Sequence, residues 1–147
     1  MKRFLLILSF LLVGSPVFAQ SRVVPTAGTA SGAVPFHLIA ANSNNSTLVK
    51  AGSATVYTAQ LSGVGSAPAY VKFYDKAVAP TCGTDVPKKV LMIPAASTAA
   101  NGGGSNVLLP VGARFNLGLG ICVVTGIADN DNTSVAAATF NVNFDYQ

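Results

Sequence analysis

The side chains that could do acid–base, metal or thiol chemistry are few in this chain. Its 147 residues contain five Asp, one His, two Cys and no Glu. Because a zinc site needs three or four nitrogen, sulfur or oxygen ligands, one chain cannot supply a His-rich or Cys-rich zinc site. No G-x-S-x-G turn surrounds any serine, so His37 is interpreted as an ordinary strand histidine rather than a catalytic base. We therefore predict no catalytic residue and expect a protein that is not an enzyme.

The polar run 129–133 is the best candidate for a metal site. Asp129 and Asp131 alternate there with two asparagines, and such side chains on a tight loop can converge on Ca²⁺. The run lacks the glycine at the sixth position and the acid at the twelfth position that complete a helix-loop-helix calcium site. The alternative is a polar turn, because Asp and Asn tolerate turn geometry. We favour the turn and expect no metal and no cofactor, with Asp129 and Asp131 kept as weak candidate ligands.

The two cysteines, Cys82 and Cys122, lie 40 positions apart and allow two interpretations. In an exported protein, a single pair of cysteines indicates a disulfide. Alternatively, Cys122 is a small buried hydrophobic residue and Cys82 a thiol in a loop. The sequence leaves both interpretations open.

Tyr70, Lys72 and Tyr74 share one face of a predicted strand. If that face is exposed, the three side chains form a strip that could bind a sugar or a protein partner. The alternative, which we favour, is cross-strand packing of the kind that aromatic residues provide in any sheet.

The N-terminus has the layout of a secretory signal peptide. Lys2 and Arg3 precede the apolar run 4–13, and Val17 and Ala19 stand at the −3 and −1 positions of a cleavage site. A membrane-spanning helix needs about 20 apolar residues, which is more than this run offers. We predict that residues 1–19 are removed, that no membrane span remains, and that the protein is exported to the periplasm or beyond.

The charge of the remaining chain argues against nucleic-acid binding. Without Lys2 and Arg3, seven basic residues stand against five acidic ones, which gives a net charge of +2. The basic residues are scattered, whereas nucleic-acid binding needs a clustered basic surface. Half of the residues are apolar, so the chain is not expected to be disordered.

The pattern from residue 35 onward predicts an all-β domain. Residues 20–34, rich in Ala, Gly, Ser and Thr, are predicted to form a flexible arm. Short alternating segments separated by Gly, Pro and Asn then predict a single β-sandwich, jelly-roll-like, over residues 35–147. The predicted strands are 35–41, 47–50, 54–62, 69–75, 89–93, 107–109, 113–115, 119–125 and 139–146. We expect a loop at 101–105 and burial of 119–125 on both faces. In the last strand, aromatic residues and one valine alternate with Asn141, Asn143 and Asp145, so we expect a central strand with its aromatic face in the core and its asparagines facing outward.

Part of the chain resembles small β-sandwich proteins of tailed bacteriophages and prophages. The resemblance is carried by segments 69–77, 79–87, 93–95, 112–115, 118–119 and 124–133, and its most specific part is the block YVKFYDKA-x-AP-x-x-GTD-x-P. Proteins of this kind are usually regarded as structural or decoration proteins of the virion. The resemblance implies no catalytic residue.

Two functions are therefore expected. The first is a non-enzymatic structural or surface-display protein of phage or prophage origin, associated with the virion and with itself or other proteins. The second is an exported bacterial module that binds a glycan or another component of the cell envelope.

Overall fold

The computed structural model describes residues 32–97 and 101–147. The predicted signal peptide, and the predicted arm up to residue 31, lie outside the described residues. Those described are all strands and connections, with no helix among them. The eight strands are β1 (Val34–Ile39), β2 (Thr47–Ala51), β3 (Ala54–Gly63), β4 (Ala69–Asp75), β5 (Lys89–Ile93), β6 (Gly103–Phe115), β7 (Gly118–Val124) and β8 (Phe140–Tyr146).

The strands form two four-stranded antiparallel sheets that pack against each other, which confirms the predicted β-sandwich. Sheet I has the order β1-β8-β3-β6, and sheet II has the order β2-β7-β4-β5. Apart from β4 and β5, each strand crosses to the opposite sheet from the strand before it. This alternation and these two orders are those of an eight-stranded jelly roll. As predicted, the last strand, β8, is central, between β1 and β3.

Alternate residues of both sheets fill the space between them. Phe144 of β8 is 2% exposed and lies at the centre of this core. Its ring stacks on Phe36 of β1, with ring centroids 4.7 Å apart, and meets Phe73 of sheet II edge-on at 5.4 Å. The contact between Phe144 and Phe73 joins the two sheets. The aromatic residues that alternate along β8 therefore lie on its inward face.

Strand β6 differs from the prediction. The expected loop at 101–105 is wrong from Gly103 onward, because β6 begins there, and the two short strands predicted after it are one strand. Pairing with β3 jumps from Leu108 to Ala113, so the residues between them, including Pro110, bulge from the sheet. Because β6 is at an edge of sheet I, it tolerates a proline. Gly112 closes the bulge at a φ of +71°, where a Cβ would lie 2.3 Å from the Thr55 side chain.

Candidate functional site

The outer face of sheet II carries a second, smaller core. Tyr74, Cys82, Cys122 and Val124 are buried there, and half-buried Tyr70 packs against them. Tyr70 lies opposite Val124 in the register of β4 and β7, so both point away from the main core. Two connections cover this face: residues 76–88, here termed the cystine loop, and residues 125–134, the Asp loop. Strand β7 is therefore buried over its whole length, which confirms the predicted burial of 119–124, whereas Thr125, the last residue of the predicted strand, is exposed.

A disulfide between Cys82 and Cys122 fixes the cystine loop to β7. The S–S distance is 2.04 Å and the Cα–Cα distance 6.1 Å, within the normal range for a disulfide. Of the two interpretations that the sequence left open, the bridge is therefore the correct one. Pro80 lies so close to Gly120 of β7 that a Cβ on the glycine would be 2.8 Å from the proline ring. The loop thus packs directly on the backbone of the sheet.

The Asp loop closes around Lys72, a residue of β4. Its side chain is fully buried, and its Nζ donates hydrogen bonds to the carbonyl oxygens of Ala128 at 2.5 Å and Asp131 at 3.0 Å. The carbonyl oxygen of Asp129 lies 3.5 Å from the same nitrogen. Burial lowers the pKa of Lys72, and the negative charges of Asp131 and Asp129 oppose that shift in part. Three carbonyl oxygens thus converge on an ammonium group as they would on a metal ion.

The side chain of Asp131 is used inside the same loop. Its Oδ1 accepts hydrogen bonds from the backbone N–H groups of Gly126 and Thr133, and its Oδ2 accepts one from the Thr133 hydroxyl. The side chain of Asp129 makes no hydrogen bond to a described residue. Within residues 32–97 and 101–147, no cluster of three or more His, Cys or Asp side chains could hold a metal ion. Asp129 and Asp131 do meet around Lys72, whose ammonium group their backbone carbonyl oxygens face.

The strip predicted on β4 is not a surface. Lys72 and Tyr74 are fully buried and Tyr70 is half-buried, so the hypothesis of an exposed binding strip is wrong. The reason is that the cystine loop and the Asp loop lie over this face. The Tyr74 hydroxyl is buried and has no hydrogen-bond partner among the described residues. Burial, followed by the negative charges of Asp85 and Asp129, raises the pKa of Tyr74 to about 12.

Two ion pairs hold the ends of the cystine loop. Asp75 pairs with Lys88 at 2.9 Å, and Asp85 pairs with Lys76 at 2.5 Å. Burial raises the pKa of Asp75, but hydrogen bonds from three consecutive backbone N–H groups, residues 116–118, and from Lys88 outweigh burial and hold this pKa well below its usual range. The hydrogen bond from Lys76 is the main reason that the pKa of Asp85 is lowered, followed by one from the backbone of Thr81.

The outer face of sheet I, in contrast, exposes polar side chains along its centre. At its centre, the strand registers place His37 opposite Asn143, Asn143 opposite Gln60, and Gln60 opposite Asn106. Directly opposed residues point to the same side of a sheet. These four residues, here termed the amide row, cross all four strands. His37, Gln60 and Asn106 are exposed and Asn143 is half-buried.

The amide row has hydrogen-bonding groups to spare. None of its four side chains makes a hydrogen bond to another residue in the part of the chain that the structure describes. A depression of about 370 Å³ includes three of the four residues of the row, His37, Gln60 and Asn143. Beside it, Thr58 donates a hydrogen bond of 2.7 Å to the carboxylate of Asp145. Sequence reasoning placed His37 in a strand and the asparagines of β8 on its outer face, but it missed their alignment, which depends on pairing between distant segments.

No family model, curated protein or solved structure matches this chain. Among the described residues, no helix is long and apolar enough to span a membrane.

Proposed function

We propose that this chain is a non-enzymatic structural or surface-display protein of phage or prophage origin, working outside the cytoplasm. The observation that carries the proposal is the contrast between the outer faces. The outer face of sheet II is covered by two loops that a disulfide and a buried lysine hold in place, while in the described part of the chain the centre of the outer face of sheet I is exposed. A domain of this kind is a rigid support that presents one face.

Two further points support this proposal. The strand order is that of jelly rolls, an architecture that viral capsid proteins and lectins share. This is an analogy of fold, and fold alone does not imply function. The block at 69–87 resembles phage virion proteins, and the Cys82–Cys122 disulfide is compatible with an exported protein.

The test is mass spectrometry of purified virions and of the periplasmic fraction from the native host. The proposal expects peptides of this chain in virions, in a fixed ratio to the major coat protein, and an N-terminus at Gln20. Virions free of the chain would contradict the virion role. A chain that still begins at Met1 would contradict export through a cleaved signal peptide.

The second candidate is an exported module that binds a glycan or another cell-envelope component. The amide row favours it, because side-chain amides that are free of internal hydrogen bonds are available to a polar ligand. Under this hypothesis the chain is found in the periplasmic or extracellular fraction whether or not virions are present.

A further inference from the structure

The amide row has the length and the chemistry of a binding site for an elongated polar molecule. Adjacent strands are about 4.8 Å apart, so a row across four strands spans roughly 14 Å. Each Asn or Gln side chain offers one acceptor oxygen and two donor hydrogens, and the imidazole of His37 offers both kinds of group when neutral. Because donors and acceptors occur together, the row suits a ligand with both, such as a chain of hydroxyl groups.

The charge of this face indicates an uncharged ligand. The outward positions next to the amide row contain one carboxylate, Asp145, and no Lys or Arg; Arg114 also points outward, but it pairs with Thr55 towards the other end of β3. Asp145 already accepts a hydrogen bond from Thr58. Because no guanidinium or ammonium group stands next to the row, the row itself has nothing to attract phosphate or a carboxylated polymer.

Apolar side chains flank the row on both sides. Ile39, which is 57% exposed, lies two residues beyond His37 on β1, on one side of the row. Leu108, which is 72% exposed, lies two residues beyond Asn106 on β6, on the opposite side of the row. Pro35, at the same level as Asp145, adds a third exposed apolar surface beside the depression. A pyranose ring has polar edges and apolar C–H faces, so a polar row between apolar flanks matches its two kinds of surface.

We propose that the amide row is a binding site for a neutral saccharide chain, with Gln60 and Asn143 as the central hydrogen-bonding residues. This inference rests on the second candidate function and deepens it by naming the site and the ligand class. Open, shallow sites on rigid sheets lose little entropy on binding but bury little area, so the affinity of one site is expected to be weak, with a Kd of about 1 mM.

The test is a titration followed by the side-chain NH₂ signals of asparagine and glutamine in ¹⁵N-correlated NMR spectra. The mature chain is titrated separately with chitotetraose, cellotetraose and tetragalacturonate. The proposal expects saturable shifts at Gln60, Asn106 and Asn143 with at least one of the two neutral tetrasaccharides, and weaker or no shifts with the anionic one. Two variants, Gln60→Ala and His37→Ala, are expected to weaken binding about fivefold to tenfold.

Asn116→Ala is the matched control, because Asn116 is an exposed amide on the connection between β6 and β7, away from the row. It is expected to bind as the wild type does. The proposal is overturned if neither neutral tetrasaccharide shifts the row at millimolar concentrations, or if the shifts lie on other surfaces. It is also overturned if tetragalacturonate binds more tightly, or if the row responds only to protein concentration, which would indicate a second copy of the chain. A chain present in virions but inert to saccharides would lose this inference and keep the first candidate function.

Discussion

Sheet I and sheet II each have one face in the shared core and one face turned away from it, and the two outward faces have opposite fates. On sheet II, the outward positions of β4 hold Tyr70, Lys72 and Tyr74, which lie beneath two loops, the first half-buried and the other two fully buried. On sheet I, the outward positions of β8 include the half-buried Asn141 and Asn143, and three of the four residues of the amide row are exposed.

The difference shows what strand alternation can and cannot reveal. Both strands alternate with period two, and in both the inward residues are Val and Phe. The outward residues differ: an aromatic ring or a long aliphatic stem gains free energy when covered, whereas an asparagine amide loses its hydrogen bonds to water. Large outward side chains therefore favour a covered face, and short polar ones favour an open face.

The largest effect is expected where the two faces of one strand are compared. Phe144→Ala removes the ring that contacts Phe36 and Phe73, and it should lower the free energy of unfolding by about 3–5 kcal/mol. The neighbouring change Asn143→Ala, on the open face, should stay within about 0.5 kcal/mol of the wild type. Urea denaturation measures both. A loss below about 1 kcal/mol for Phe144→Ala would mean that this face is not core.

Removal of the disulfide should destabilise the covered face selectively. The double change Cys82→Ala with Cys122→Ala should cost about 2–4 kcal/mol, because it releases a constraint on a long loop of the unfolded chain. Amide hydrogen exchange should accelerate most in the cystine loop and remain unchanged at the amide row. Equal acceleration on both sheets would show that the loop is not an independent cover.

Lys72→Met tests whether the ammonium group organises the Asp loop. The methionine keeps most of the stem but leaves the carbonyl oxygens of Ala128 and Asp131 without their donor, so we expect a loss of about 1–3 kcal/mol. Lys50→Met, on β2, is the control and should change stability by no more than about 0.5 kcal/mol. If the two variants behave alike, the loop does not depend on Lys72.

Tyr74→Phe should increase stability by about 1 kcal/mol, because it removes a buried hydroxyl that has no partner among the described residues. The variant should also change the alkaline response. The pKa of Tyr74 is raised to about 12 in the folded protein, whereas a tyrosine in the unfolded chain ionises at about 10. Ionisation of the unfolded chain therefore lowers the free energy of unfolding as the pH rises from about 10 towards 12, and it has no effect below about pH 10. Between about pH 9 and about pH 11, the free energy of unfolding should fall further in the wild type than in Tyr74→Phe. The opposite order would mean that the phenol is not buried.

Much of the fold was predictable because its signals are local. The bounds of β4 and β5 agree with the predicted strands 69–75 and 89–93, and the aromatic alternation of β8 indicated its central position. Strand β6 was missed in part because Gly102–Gly104 and Pro110 are typical of loops. An edge strand paired on one side only can contain such residues.

The surfaces were less predictable because they depend on distant pairing. Cys82 and Cys122 are far apart in the sequence, and only the folded chain shows that their bridge brings a loop over Tyr74. The amide row likewise depends on the registers of three strand pairs, so His37 alone gave no sign of its neighbours. Local patterns specify which residues share a face of one strand, and long-range pairing specifies what lies beside or above it.

The most direct test of the contrast between the two faces is solvent paramagnetic relaxation in the native protein. A neutral gadolinium chelate broadens NMR signals of atoms that the solvent can reach. The account predicts strong broadening of the side-chain NH₂ signals of Gln60 and Asn106, and little broadening of the Tyr74 ring and the Val124 methyl groups. Similar broadening of both sets, or protection of the amide row with exposure of Tyr74, would contradict it.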